Sequence, residues 1–219
     1  MATRLPLFPL SSVLVPGLVL PLHIFEPRYR VLVKALLELP EGAQRQFGVI
    51  AIRSGREVAA DGVEALYEVG CTAELREVTP YSDGRFDLVT VGETRFRLRG
   101  LDQEAGTPYH TGFVDFLPER DGDGDLAALT RRVTRRFAEY REQLGVEPTD
   151  LPDQPQVVSY LVAAAVVLDL PERQTLLQQP TTADRLRVEL EILRRETALV
   201  RAFHAIPAVD LAGESGSAN

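Results

Sequence analysis

The chain has 219 residues and a mass of 24.2 kDa, enough to bury a sizeable core without metals or disulfides. Its 45% hydrophobic and 26% charged residues exclude collagenous, disordered, disulfide-rich and multi-span membrane classes. The net charge is −8, with 12 basic and 15 acidic residues up to Pro118 and 12 and 17 after it, so neither part is a basic module built for nucleic acid or an anionic membrane.

Residues 4–8 and 13–15 read as short extended pieces punctuated by proline, as at sheet edges. Tyr29, Leu32, Val33, Leu36 and Leu37 recur at helical spacing, and Pro27 suits a first turn, so residues 26–39 are predicted helical. Strands are predicted at 47–53, 69–78, 86–91, 95–99 and 109–117, with hairpin chemistry at Ser82, Asp83, Gly84 and Arg85. Arg95, Arg97 and Arg99 alternate with Phe96 and Leu98, which predicts an arginine-lined wet face. Six or more short strands with one helix predict a small, closed or nearly closed β-barrel.

Residues 119–125 (ERDGDGD) form a charged, glycine-broken connection. The period then becomes 3.6. Asp125 is placed to cap a helix running to about Leu144, with Leu126, Leu129, Val133, Phe137 and Tyr140 on one face. Residues 145–155 hold three prolines and read as a loop. Residues 156–168 are apolar almost all round, which predicts a helix buried at the centre of a bundle. A short helix at 172–178 follows. Thr181 or Thr182 then opens a long helix to about Ala205, with Leu186, Leu190, Leu193, Thr197, Val200 and Phe203 along its seam. Residues 212–219 are small and polar and read as a disordered tail.

Targeting signals are not evident. Pro6, Pro9, Pro16 and Pro21 interrupt the uncharged stretch after Arg4, which excludes a spanning helix or a signal peptide, and residues 157–168 are too short to span. With Cys71 as the single cysteine, no intramolecular disulfide forms; it is predicted to be a buried small hydrophobe, and the chain is expected to be cytoplasmic.

Few residues carry chemistry. Asp121, Asp123 and Asp125 imitate the start of a calcium loop, but its sixth and twelfth positions are Leu126 and Arg132 rather than glycine and glutamate, so a solvated linker is expected. His23, His110 and His204 are scattered, with no metal or nucleophile motif. The arginine pairs at 131–132, 135–136 and 194–195 lie among Asp125, Glu139, Glu189, Glu191 and Glu196, which predicts a solvated helix face. No catalytic, metal or cofactor-binding residue is predicted, and no cofactor.

The strings LPLFPL (5–10), VLVPGLVLPLHIFEPRYR (13–30), FGVI (47–50), VGCTAEL (69–75), DGRFDLVTVGETRFRL (83–98) and LPERQTLLQQPTTADRLRVELEILRRE (170–196) closely resemble the N-terminal substrate-binding domain of Lon proteases. The resemblance implies an α+β fold: a PUA-like small β-barrel with one helix (1–118), followed by a C-terminal helical bundle (119–211) and the tail (212–219). It does not imply a protease. Full Lon proteases add an ATPase and a serine–lysine peptidase. Lys34, the only lysine, lies in a Val-Lys-Ala context that cannot form a phosphate-cradling P-loop.

The expected function is therefore a non-enzymatic module that binds unfolded or specific polypeptides, as an adaptor in quality control or proteolysis with a protease or chaperone as partner. A PUA-like RNA-binding module is the alternative, on fold analogy alone and against the net charge. No membrane partner is expected, nucleic acid is disfavoured, and the sequence leaves the oligomeric state open. His23, Phe25 and Tyr29 are the candidate peptide-binding residues. A crevice between the two halves is the expected site, with Phe25 and Tyr29 near its floor or in the core.

Overall fold

The computed structural model describes residues 2–53, 66–147 and 150–204, the side chains of Phe203 and His204 excepted. The tail predicted at 212–219 lies outside the described residues, as does the side chain at the seam position Phe203. The fold is α+β. Along the chain run β1 (Thr3–Leu10), β2 (Val19–Ile24), α1 (Pro27–Leu37), β3 (Gln46–Ala51), β4 (Val69–Pro80), β5 (Phe86–Leu101), β6 (Thr111–Phe116), α2 (Leu126–Gln143), α3 (Pro155–Ala165), α4 (Leu170–Gln178) and α5 (Thr182–His204).

The six strands form one sheet in the order β2-β5-β4-β3-β1-β6, and β5 also pairs with β6. Strand β5 makes this possible by its length. Its first half pairs with β2 and its second half with β6, while β4 pairs with it from Phe86 to Arg97. Where the sequence predicts two strands, 86–91 and 95–99, the backbone carries through Gly92, Glu93 and Thr94 as one, with a register shift in β4 at Cys71/Ala73 absorbing the irregularity. Residues 13–15 are not a strand. They are a buried connection, and the unanticipated strand is β2, whose proline is tolerated because β2 is an edge.

Two cores result. One lies under the sheet around α1, where Tyr29, Leu32, Val33 and Leu36 pack against Phe8, Phe47 and Leu88. The other joins Val133, Phe137 and Tyr140 of α2 to Val158 and Val162 of α3 and Leu186 and Leu193 of α5. Helix starts follow the local chemistry: the Asp125 carboxylate accepts from Ala128 N at 2.9 Å, Asp169 from Glu172 N at 2.9 Å, and the Thr181 hydroxyl from Asp184 N at 3.1 Å. The acidic connection is tied down as well, since Arg120 and Asp121 carbonyls accept from Thr182 and Ala183 at the start of α5.

A third cluster, Val13, Val15, Ala51, Val69, Tyr160 and Leu177, joins sheet to helices. Charge reinforces it. Arg97 and Arg99 are exposed as the alternation predicts, but Arg95 is only 2% exposed, because α4 and the turn after it cover this part of β5. Its guanidinium donates to Glu119 Oε1 at 2.6 Å and to the carbonyls of Leu177 and Gln179 at 2.9 and 2.6 Å. Gln174 of α4 donates to the Val69 carbonyl of β4 at 2.8 Å. These bonds fix how the helices sit on the sheet.

Candidate functional site

Between the sheet and α3 lies a groove of about 290 Å³. One wall is the connection 15–18 with Val91, Gly92 and Glu93 of β5; the other is the outward face of α3. The close seating of the first wall depends on Gly92, where a Cβ would come within 2.2 Å of the Val15 carbonyl oxygen. Gly17 N donates to the Gly92 carbonyl at 2.8 Å, and Gly92 N to the Leu18 carbonyl at 2.9 Å.

Helix α3 departs from the sequence expectation in an informative way. It carries no charge, and Val158, Val162 and Ala163 are buried, but Val157 and Leu161 remain 41% and 42% exposed. An apolar circumference suggested burial all round; only one side is covered by α2 and α5, and the other forms the groove wall. Glu93 and Gln156 are the polar exceptions in the lining, apart from the Tyr160 hydroxyl. Glu93 is held by Arg76 at 2.5 Å.

Tyr160 connects the groove to the buried charges. Its ring lies 3.8 Å from the Arg185 guanidinium carbon, its hydroxyl donates to Glu119 Oε1 at 2.5 Å, and Arg185 donates to the same hydroxyl at 2.9 Å. Arg185, fully buried, also reaches Ser159 Oγ at 3.0 Å and Glu119 Oε2 at 3.2 Å. Burial pushes the Tyr160 hydroxyl pKa up, against the pull of Arg185 and Arg95, so the phenol stays protonated as a donor. Glu119 thus serves two buried guanidiniums. Sequence reasoning missed it because the residue sits in a run of charges that reads as linker.

The three sequence candidates separate. Tyr29 is 4% exposed and stacks on Phe8 with centroids 4.0 Å apart, so it belongs to the core and does not line a surface. Phe25 is 61% exposed and His23 is exposed beside it. Neither lies in the groove: Tyr29 takes the core alternative, whereas Phe25 is neither core nor groove floor, since the groove adjoins Leu18 at the start of β2 and His23 lies near its end. At that end His23 Nδ1 meets Asp87 Oδ1 at 2.6 Å, Tyr81 donates to Asp87 Oδ2 at 2.5 Å, and the His23 ring is 6.2 Å from Phe25 and 6.1 Å from Tyr81. The Tyr81 and His23 bonds hold the Asp87 carboxyl below the usual carboxylate range. No serine, threonine or cysteine takes part in these contacts.

Strand β2 runs from one feature to the other. Because Leu18 bonds Gly92, antiparallel alternation points the main chains of Leu20, Leu22 and Ile24 toward β5 and those of Val19, Pro21 and His23 toward the outer edge, which is free among the described residues. Val19 is 56% exposed on that edge. Among the described residues no group of three His, Cys, Asp or Glu could hold a metal ion, and no helix is long and apolar enough to cross a membrane.

Comparison with known proteins agrees with this architecture. Residues 4–195 match the family described as the ATP-dependent protease La (LON) substrate-binding domain. The chain is 29% identical over 189 residues to Lon protease 2 of Syntrophobacter fumaroxidans, covering 82% of this chain and 23% of that protein. The chain thus spans about a quarter of the length of the Lon proteases it matches. The crystal structure of the Lon N-terminal domain protein from Xanthomonas campestris superposes with a TM-score of 0.65 at 28% identity, covering 86% of this chain and 98% of that one. The N-terminal domain of the Mycobacterium avium complex Lon protease shares the fold at 16% identity, with a TM-score of 0.66 and 90% and 98% coverage.

Proposed function

The chain belongs to the Lon substrate-binding domain family, and from that premise we propose that it is a non-catalytic module that holds polypeptide segments in the groove between its sheet and α3. The observation that carries this reading is the exposed apolar face of α3, Val157 and Leu161, set opposite Val15, Leu18 and Val91. A solvated groove of that composition binds by burying apolar side chains, and the free edge of β2 offers main-chain groups to an extended chain. Pro21 supplies a carbonyl but no donor, which limits the ladder and favours reversible capture over aggregation.

A bound segment would start in the groove and follow β2 toward Phe25 and His23. Over Val19 to His23 that is about 13 Å of extended chain. The residues before and after position 118 act as two subdomains on this reading, a PUA-like barrel and a helical bundle, with the groove at their junction. Delivery of the captured polypeptide to a protease or chaperone in the cytoplasm is the role that fits such a module.

The test is binding of a permanently unfolded, fluorescently labelled polypeptide, followed by anisotropy. Leu161→Asp puts a charge into the apolar wall and is expected to weaken binding about tenfold or more, since any apolar group seated there would have to desolvate it. Unchanged affinity, or displacement of the polypeptide by RNA, would remove the groove from this account.

A further inference from the structure

The helical half carries a second depression, on the face formed by α2 and α5. It measures about 310 Å³ and is lined by Arg132, Arg135, Arg136, Leu190, Glu191 and Arg194. Residues nearly sixty positions apart are brought together here: the arginines repeat at i, i+3 and i+4 along α2, and Arg194 projects from α5 beside them. The sequence predicts for these arginine pairs a solvated helix surface balanced by neighbouring acids. That holds for some of them. Glu139 pairs with Arg136 at 2.7 Å and approaches Arg135 at 4.0 Å, and Arg195 turns away to Glu172 and Glu196 at 2.5 and 2.7 Å. Arg132 and Arg194 have no ion-pair or side-chain hydrogen-bond partner among the described residues.

Four guanidiniums around one small depression, opposed by Glu191 within it and Glu139 beside it, leave a local positive excess in a chain of net charge −8. We propose that this depression is a binding site for the carboxylates of an acidic polypeptide segment, a second contact for the client whose apolar segment occupies the groove; it rests on the polypeptide-binding reading above. Guanidinium forks match carboxylates in bidentate geometry, and Leu190, half-buried, offers an apolar surface for the methylenes of Glu or Asp side chains.

Charge also chooses between acidic ligands. A long polyanion extends beyond the depression and meets the acidic remainder of the molecule, whereas a few carboxylates feel little beyond the screening length of about 8 Å at physiological salt. The acidic segment is therefore short, a handful of residues.

The experiment uses the full chain and rhodamine-labelled hexaglutamate, with hexaglutamine and hexalysine as controls, read by anisotropy at two salt concentrations. Hexaglutamate is expected to bind more tightly than either control, with affinity falling as salt rises. The double variant Arg132→Gln/Arg194→Gln, both positions exposed, is expected to weaken it about fivefold or more while leaving the melting temperature unchanged. Leu161→Asp should leave hexaglutamate binding unaltered and weaken only the unfolded client, so the two sites fail independently. Equal affinity for hexaglutamate and hexaglutamine, or no effect of the double variant, overturns the proposal. So does tighter binding of a single-stranded oligonucleotide or tripolyphosphate of comparable charge, which would make the site one for phosphates.

Discussion

Replacing Glu119 by glutamine should expose how the two halves are held together. Its carboxylate is the shared acceptor for two guanidiniums, Arg95 at 2.6 Å and Arg185 at 3.2 Å, whose side chains are 2% and 0% exposed. Their positions come from different parts of the chain: Arg95 from β5, Arg185 from α5, with Glu119 on the connection between β6 and α2. Glutamine keeps the shape but removes the negative charge, leaving two buried cations bonded to carbonyls, a tyrosine hydroxyl and a serine hydroxyl, with Glu189 near Arg185 but pushed toward its neutral form by burial. Removing one partner from a buried ion pair costs about 3–5 kcal/mol. Because glutamine can still accept one bond, the lower end applies, about 3 kcal/mol, or a fall in melting temperature of roughly 6–12 °C for a chain of this size. Thermal unfolding by circular dichroism measures this. Asp115→Asn is the control: the Arg99–Asp115 pair is more exposed, at 57% and 36%, and should matter little. If Glu119→Gln melts as Asp115→Asn does, the cluster is not what joins sheet to helices.

Further outcomes follow from burial. Tyr29→Ala removes an aromatic ring stacked on Phe8 in the sheet core and should destabilise by about 3 kcal/mol or more in denaturant unfolding; a shift near zero would contradict its 4% exposure. Glu189 is 1% exposed with neither carboxylate oxygen hydrogen-bonded among the described residues, and burial pushes its pKa well above the usual range despite Arg185 one turn earlier. The folded state then holds this proton more tightly than the unfolded chain, so its cost is absent below about pH 4 and grows as pH rises. Glu189→Gln should therefore match the parent near pH 4 and exceed its stability at pH 7; a constant difference across that range would refute the assignment. Cys71, fully buried and with its thiol pKa pushed up by burial, should resist a thiol-specific reagent in the native protein and react at once in denaturant.

How much of this was legible in the sequence varies with how local each feature is. The caps at Asp125 and Thr181, the turn at Gly84 with its φ of +82°, and the helical spacing of Tyr29, Leu32, Val33 and Leu36 are written within a few residues, and they appear where expected. Strand β2 escaped because prolines at 16 and 21 read as interruptions, and only its edge position makes Pro21 acceptable. The site was the least legible. Leu161 and Val162 are equally apolar, and only the placement of α2 and α5 decides that one faces the groove and the other the core. Arg95 and Glu119 looked like ordinary surface charges because their partners lie tens of residues away.

The central claim is that polypeptide is held between the sheet and α3, and photo-cross-linking tests it most directly. An unfolded polypeptide carrying a photoreactive group is bound to the full chain, irradiated, and the labelled positions are read by mass spectrometry. Capture in the groove requires labels on both walls, on residues 15–18 or 91–93 and on residues 157–164, which denatured protein competes away and which Leu161→Asp suppresses. Labels confined to the outer face of α5, or labels removed by RNA and not by denatured protein, would contradict it.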